Sequence, residues 1–134
     1  MIAVRKSVFD FIGGFDEDYP FYSEDMDFSY RVKKANSKVI FYPKSRVVHY
    51  RGGSSKSKEF NPQSLRKMQM SKIIFATKHF SPKNFKIYAN TQIAKSIFIA
   101  GIAKLLSPLH PAFARQLEYH TANASIWREI KENI

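Results

Sequence analysis

The chain has 134 residues, of which 44% are hydrophobic and 25% are charged. The length fits one ordinary domain, and the apolar fraction is large enough for a core and excludes disorder by composition. The sequence contains no cysteine, which excludes disulfides, thiolate zinc sites and cysteine nucleophiles. We expect no membrane-spanning helix and no cleaved secretory signal, because no apolar run reaches ~20 residues and residues 1–6 are not an apolar leader.

The charges are distributed unevenly along the chain. Residues 1–27 hold seven acids and two bases, a net charge of −5, whereas residues 28–134 hold 20 bases and four acids, a net charge of +16. The acidic start favours local acid chemistry or cation binding. The basic remainder favours attraction to phosphates, in a nucleic acid, an anionic lipid or a phosphorylated substrate.

Three short apolar runs in the first 55 residues predict strands. Residues 2–9 predict a strand that runs into a turn of helix, and residues 39–42 and 47–50 predict two more, the second of the three ending at Pro43. Strands this short normally join a larger sheet. The front of the chain therefore predicts an α/β fold of which part is missing.

One helix is predicted between these strands, from about Glu24 to Ala35. Ser23 suits the N-cap position, the acids that follow suit the positive end of the helix dipole, and Phe28 and Val32 fall on one inner face. From about residue 62 the pattern becomes helical throughout. The predicted segments are 65–80, 85–106 and 110–134, separated by prolines. We therefore predict one unit over residues 1–55 and a basic helical tail over residues 56–134.

Two acidic clusters invite a chemical interpretation. Asp16-Glu17-Asp18 has a spacing that can hold a divalent cation, but its place in a loop favours a solvated turn. Glu24-Asp25-Met26-Asp27 at a helix start places several ionised carboxylates where one can act as a general base. Simple capping charge is the alternative interpretation of this second cluster.

Two features near residue 50 remain open on residue chemistry alone. His49, at the end of an apolar strand, is either a structural side chain or a metal ligand. Gly52-Gly53-Ser54-Ser55 is either an ordinary loop or a source of backbone amides for a phosphate.

Four ordered motifs together resemble the C-terminal half of family-2 glycosyltransferases, and in particular rhamnosyltransferase-like enzymes of bacterial polysaccharide assembly. The motifs are Gly13-Gly14-Phe15-Asp16-Glu17, Tyr22 to Phe28 with Arg31, Val39 to Pro43, and Val47-Val48-His49 with Gly52-Gly53-Ser54. The resemblance implies a partial GT-A fold, the nucleotide-diphospho-sugar transferase fold, without its N-terminal nucleotide-binding half. The helical C-terminal region would follow it.

The resemblance also implies roles for single residues. Asp25 matches the catalytic base that deprotonates the acceptor hydroxyl, Glu24 would orient the acceptor or the base, and Asp27 matches a second acid with a structural or acceptor-binding role. His49 matches a ligand of a divalent cation, Mn²⁺ or Mg²⁺, whose site is incomplete in this chain. Two loops complete the implied set: the acceptor-pocket loop is Gly13, Gly14 and Phe15, and the donor-phosphate loop is Gly52, Gly53 and Ser54.

The function implied by the resemblance is inverting transfer of a sugar from a nucleotide-sugar donor to a polysaccharide or lipid-linked acceptor, in cell-wall or polysaccharide biosynthesis. Without a donor half, we expect this chain alone to transfer no sugar; the missing half would then be a partner. The implied location is cytoplasmic, or peripheral on the inner face of the membrane. A non-catalytic partner subunit is one alternative, and a basic nucleic-acid-binding module, with Phe75, Phe80, Phe85 and Tyr88 stacking on bases, is another.

The most apolar stretch, residues 93–106, has two interpretations. Ile93, Ile97, Ile102 and Leu105 fit a core-facing stripe. The same stretch, with Lys95 and Lys104, also fits a helix lying in the interface of an anionic membrane.

Overall fold

The structure is a computed structural model that describes residues 2–48 and 61–133. The chain divides into two compact units, Met1–Lys58 and Glu59–Ile134. Within the described residues, unit 1 contains two helices and unit 2 contains three. In chain order they are α1 (Lys6–Ile12), α2 (Glu24–Lys34), α3 (Pro62–His79), α4 (Pro82–Leu106) and α5 (Pro111–Glu132).

The prediction of an α/β partial GT-A fold is wrong, because the two described ranges contain helices and irregular segments but no strand. Residues 2–5 and 37–42 are irregular, and residues 45–48 are irregular as well. Their apolar side chains are exposed: Ile40 is 76% exposed and Phe41 is 87% exposed. A strand exists only through hydrogen bonds to a neighbouring strand, so a correct local pattern does not by itself produce a sheet.

The core of unit 1 is an aromatic cluster where α1 meets α2. The rings of Phe9, Phe15 and Phe28 lie with centroids 5.0 to 5.9 Å apart, in tilted and edge-on arrangements. Phe28 and Val32 are buried, as the predicted inner face of α2 requires. The helix itself is confirmed to within a residue at its end.

The three helices of unit 2 match the predicted segments to within a few residues, and the caps explain why. The side chains of Asn61, Ser81 and His110 each accept a hydrogen bond from a backbone N–H in the first turn. Each is followed at once by a proline, which favours the first helical position because it has no N–H to leave unpaired. These starts are encoded locally, although the predicted starts at residues 65 and 85 each lie three residues after the observed ones.

The core of unit 2 surrounds Trp127, which is fully buried on α5. Ala76 and Ala89 are also fully buried, and their small side chains let α3 and α4 approach the indole. The indole N–H donates to the Gln69 side chain at 3.2 Å, and Asn123 donates to Ser96 at 2.7 Å. The core is therefore apolar with two buried polar pairs joining its helices.

The aromatic side chains suggested for base stacking belong to this core. Phe85 is buried, and Phe75, Phe80 and Tyr88 follow one another edge to face, with Tyr88 ending on Trp127 at 5.4 Å between ring centroids. Phe75, Phe80 and Tyr88 are half-buried by these contacts. Nucleic-acid binding stays a prediction.

Candidate functional site

The two residues before the acidic start of α2 have unusual backbone conformations. Tyr22 and Ser23 have positive φ angles of 64° and 74°, in the left-handed region that L-residues seldom occupy. Ser23 is the N-cap residue, as predicted, but its hydroxyl makes no capping bond. Side-chain caps come from extended backbone, and the left-handed conformation of Ser23 departs from it. Backbone strain of this kind is characteristic of positions that hold a functional group in place.

The three acids of this turn have different surroundings. Asp25 is exposed, Glu24 is half-buried, and Asp27 is completely buried. Asp25 accepts a hydrogen bond from the Met26 backbone N–H at 2.8 Å, which leaves its outer face open. Of these carboxylates, Asp25 is thus the one best placed to meet a molecule from solvent.

Asp27 is held in a buried network. The Arg31 Nε donates to Asp27 Oδ2 at 2.7 Å, and the Tyr19 hydroxyl donates to Asp27 Oδ1 at 3.0 Å. Burial and the neighbouring Asp27 carboxylate raise the pKa of Tyr19, so its hydroxyl stays a donor. Asp27 thus has a clear structural contact set, and its predicted acceptor-binding role stays a prediction.

Arg31 ties the acidic helix to the glycine loop. Its two terminal nitrogens donate to the backbone carbonyls of Ile12 and Gly14, both at 2.8 Å, while Nε binds Asp27. The structure therefore brings together two predicted groups, the loop at 13–15 and the acids at 24–27. The sequence signal for this pairing is the i, i+4 spacing of Asp27 and Arg31, which the sequence prediction did not use.

The glycine loop is a helix termination built on left-handed backbone. Gly13 has φ 82° and Gly14 has φ 73°, and their N–H groups bond to the carbonyls of Asp10 and Phe9. This is the Schellman arrangement, for which glycine is the favoured residue. Phe15 is 44% exposed next to it. The predicted acceptor loop thus begins at a hydrogen-bonded helix end, and the Phe15 ring that packs on Phe9 and Phe28 is still partly exposed.

We expect Gly14→Ala to destabilise unit 1 more than Gly13→Ala. Both substitutions place a side chain on left-handed backbone, at a cost of about 1 kcal/mol. A Cβ at Gly14 would also lie 3.1 Å from the Phe9 ring, whereas a Cβ at Gly13 meets nothing within 4 Å. Overpacking adds about 1–3 kcal/mol. Chemical denaturation followed by near-ultraviolet circular dichroism measures both, and equal effects would contradict the close contact.

The loop Asp16-Glu17-Asp18 forms a turn, as predicted. The Asp16 carboxylate accepts the Asp18 backbone N–H at 3.0 Å, which is the hydrogen bond of an Asx turn. Within residues 2–48 and 61–133, no group of three or more His, Asp or Glu side chains is close enough to hold a metal ion. The divalent cation implied by the resemblance stays a prediction.

Several predicted residues lie outside the described ranges. They are the metal ligand His49 and the donor-phosphate loop, Gly52, Gly53 and Ser54. Their roles, and the Mn²⁺ or Mg²⁺ they would serve, stay predictions.

A groove of about 560 Å³ runs along the other side of α2. Phe28 and Val32 contribute from the helix, and Arg5 and Lys38 are the charged side chains among its lining. No carboxylate is among the lining residues, so this groove and the acidic turn are separate features of unit 1.

Comparison with known proteins shows a distant and partial relationship to glycosyltransferases. The relatives found are the N-acetylglucosaminyl-diphospho-decaprenol L-rhamnosyltransferases of two Mycobacterium tuberculosis strains, CDC 1551 / Oshkosh and ATCC 25618 / H37Rv. Each is 39% identical to this chain over 54 residues. The match covers 40% of this chain and 18% of each relative, so the chain spans about a fifth of the length of these curated relatives.

No protein-family model matches the chain, and no solved structure matches it significantly. The predicted glycosyltransferase relationship is therefore supported at the level of a partial match. Membership of family 2 and the cytoplasmic location stay predictions.

Proposed function

We propose that this chain supplies the acceptor-side base of a sugar-transfer reaction, with a nucleotide sugar as donor and a lipid-linked or polysaccharide saccharide as acceptor. The observation that carries the proposal is an exposed carboxylate, Asp25, on a helix start whose neighbouring acid is locked in place. The partial similarity to rhamnosyltransferases that act on a decaprenol-linked sugar supports the class of reaction.

In the proposed step, Asp25 accepts the proton of an acceptor hydroxyl while that oxygen attacks the anomeric carbon of the donor. The new carbon–oxygen bond forms on the face opposite the bond to the nucleoside diphosphate. That older bond breaks, and the nucleoside diphosphate leaves with its electron pair. The configuration at the anomeric carbon is therefore inverted. Such a base must lie within hydrogen-bond reach of the hydroxyl and be ionised, and the positive end of the α2 dipole favours the ionised form.

Rigidity is the contribution of the buried network. A base loses much of its effect when it is displaced by about 1 Å. Arg31 fixes the first turn of α2 against the carbonyls of Ile12 and Gly14. In this proposal Asp25 is the catalytic residue, Glu24 orients the acceptor, and Asp27 and Arg31 are positioning residues.

A chimera tests the proposal, because the match covers only 18% of the relatives. The matched segment of the mycobacterial rhamnosyltransferase is replaced by the corresponding residues of this chain. We expect measurable rhamnose transfer to a polyprenyl-diphosphate-linked N-acetylglucosamine acceptor. Asp25→Asn in the chimera should lower the transfer rate by about 10²–10⁴-fold, the usual contribution of a general base.

The matched control is Asp10→Asn, which removes an exposed carboxylate that pairs with Lys6 on the surface of α1. Its transfer rate should equal that of the parent chimera. Asp25→Asn must also keep the circular dichroism spectrum of the parent. Transfer at the parental rate with Asp25→Asn would refute the assignment of the base. The isolated 134-residue chain is expected to transfer no sugar in the same assay.

A further inference from the structure

The outer face of α4 carries a row of large apolar side chains at the surface of unit 2. Buried positions of this helix, such as Ser96 and Ala103, face the core. The opposite face continues into the loop before α5. We call the row the α4 stripe, and it consists of Ile97, Phe98, Ile102, Leu105 and Leu109.

The exposure of the α4 stripe shows that the core-facing interpretation of this stretch is wrong for most of its residues. Phe98 is 69% exposed, and Leu105 and Leu109 are 79% and 75% exposed. Of the four residues predicted to face the core, only Ile93 packs against it. A contiguous exposed apolar patch of this kind marks an interaction surface.

Gly101 supports the openness of this face. A Cβ built at Gly101 meets no atom within 4 Å. At 100° per residue, Gly101 falls within the arc occupied by Ile97, Phe98 and Leu105. Within the described part of the chain, the space beside Gly101 on this face is therefore open.

Two lysines border the α4 stripe, one on each side. By the same helical geometry, Lys95 and Lys104 lie at opposite margins of the arc, and both are exposed. Lysines in these places can rest their methylene stems along an apolar layer while their ammonium groups stay at its polar edge.

The charge around the stripe is entirely of one sign on two helices. Helices α3 and α4 together carry eight basic residues, seven lysines and one arginine, and no aspartate or glutamate. The pKa of Lys72 is lowered by burial and by the nearby charge of Lys95. Lys72 and Lys95 thus bring two like charges close together beside the stripe.

We propose that the α4 stripe docks unit 2 on an anionic lipid bilayer, with Phe98, Leu105 and Leu109 in the boundary between headgroups and acyl chains. An apolar stripe bordered by lysines is the pattern of a helix that lies in the membrane interface. Anionic headgroups complement the positive margins, with each lysine near the surface adding to the attraction. Among the helices of residues 2–48 and 61–133, none has the length and apolar character of a membrane span.

The test is co-flotation of the full chain with vesicles of phosphatidylcholine alone or of phosphatidylcholine mixed with phosphatidylglycerol. We expect binding to the anionic vesicles that weakens at high salt, and little binding to the neutral ones. The double substitution Phe98→Ser and Leu105→Ser should weaken binding to anionic vesicles about tenfold or more, because it removes most of the inserted apolar surface. The charge reversals Lys95→Glu and Lys104→Glu together should weaken it about tenfold.

Phe11→Ser is the matched control. Phe11 is as exposed as Leu105 but lies on α1 in unit 1, so its removal should leave vesicle binding unchanged. Absence of binding to anionic vesicles would overturn the proposal, as would equal binding by the stripe variant. A dimer that dissociates on Phe98→Ser, with no vesicle binding, would assign the stripe to a second copy of the chain. If single-stranded RNA displaced both the parent chain and the stripe variant from anionic vesicles to the same extent, charge alone would explain the binding. That outcome would also overturn the proposal.

Discussion

Replacing Arg31 with alanine is expected to cost unit 1 about 3 kcal/mol of unfolding free energy, enough to unfold a unit with so small a core. The reason is the buried carboxylate of Asp27, which would lose its ion-pair partner. The carbonyls of Ile12 and Gly14 would lose donors in the same step. The measurement is the rate of hydrogen exchange at the α2 backbone amides, because folding protects these amides and slows their exchange.

Lys33→Ala is the control for this experiment, since Lys33 is an exposed basic residue in the last turn of the same helix. Its effect should stay within about 0.5 kcal/mol, as expected for an exposed position. A double substitution, Asp27→Asn with Arg31→Ala, should recover part of the loss because no charge is left buried. Equal protection in Arg31→Ala and Lys33→Ala would show that the network does not hold unit 1 together.

Replacing Trp127 with alanine is expected to cost unit 2 about 3–5 kcal/mol, the usual range for a large aromatic removed from a core. The indole is fully buried among α3, α4 and α5, and it contacts the Tyr88 ring edge to face. Its loss leaves a cavity and removes the donor to Gln69, a side chain only 1% exposed. Urea denaturation followed by far-ultraviolet circular dichroism measures the change in the free energy of unfolding.

Two further substitutions complete this experiment. One separates packing from hydrogen bonding at Trp127, and the other is a control at an exposed position. Trp127→Phe fills most of the space but leaves the Gln69 oxygen unpaired, and we expect a loss of about 1–3 kcal/mol. Phe98→Ala removes an aromatic ring of the exposed α4 stripe, and its effect should be within about 0.5 kcal/mol. A loss for Trp127→Ala as small as that for Phe98→Ala would contradict the assigned core.

The parts of the fold that sequence predicts are those that neighbouring residues decide. Helix α2 follows from a run of acids before an apolar face, and α3, α4 and α5 follow from caps such as Asn61 and Ser81 beside a proline. The failed prediction was the sheet, because residues 39–42 carry a strand pattern that specifies no partner. Pairing between distant segments is not written in either segment alone.

The residues of the candidate site could be predicted from the sequence, but their burial could not. The acids and the glycine loop were found by their residue types, and the structure places both on the Arg31 network. The sequence could not show that Asp25 is exposed while Asp27 is buried, since both suit a first helical turn equally well. For the α4 stripe, periodicity identified an apolar face but could not decide between a protein core and a lipid surface, which have the same period.

The irregular segment after α2 has a consequence for handling the protein. Val39, Ile40, Phe41 and Tyr42 form an exposed run of high β-propensity, the composition that stacks into intermolecular cross-β aggregates. Lys38 precedes the run, and Pro43 and Lys44 follow it directly. Charge and proline at the borders of such a run act as gatekeepers, since they repel neighbouring copies and interrupt the stacking. We therefore expect Lys38, Pro43 and Lys44 to limit association between copies of the chain through this run.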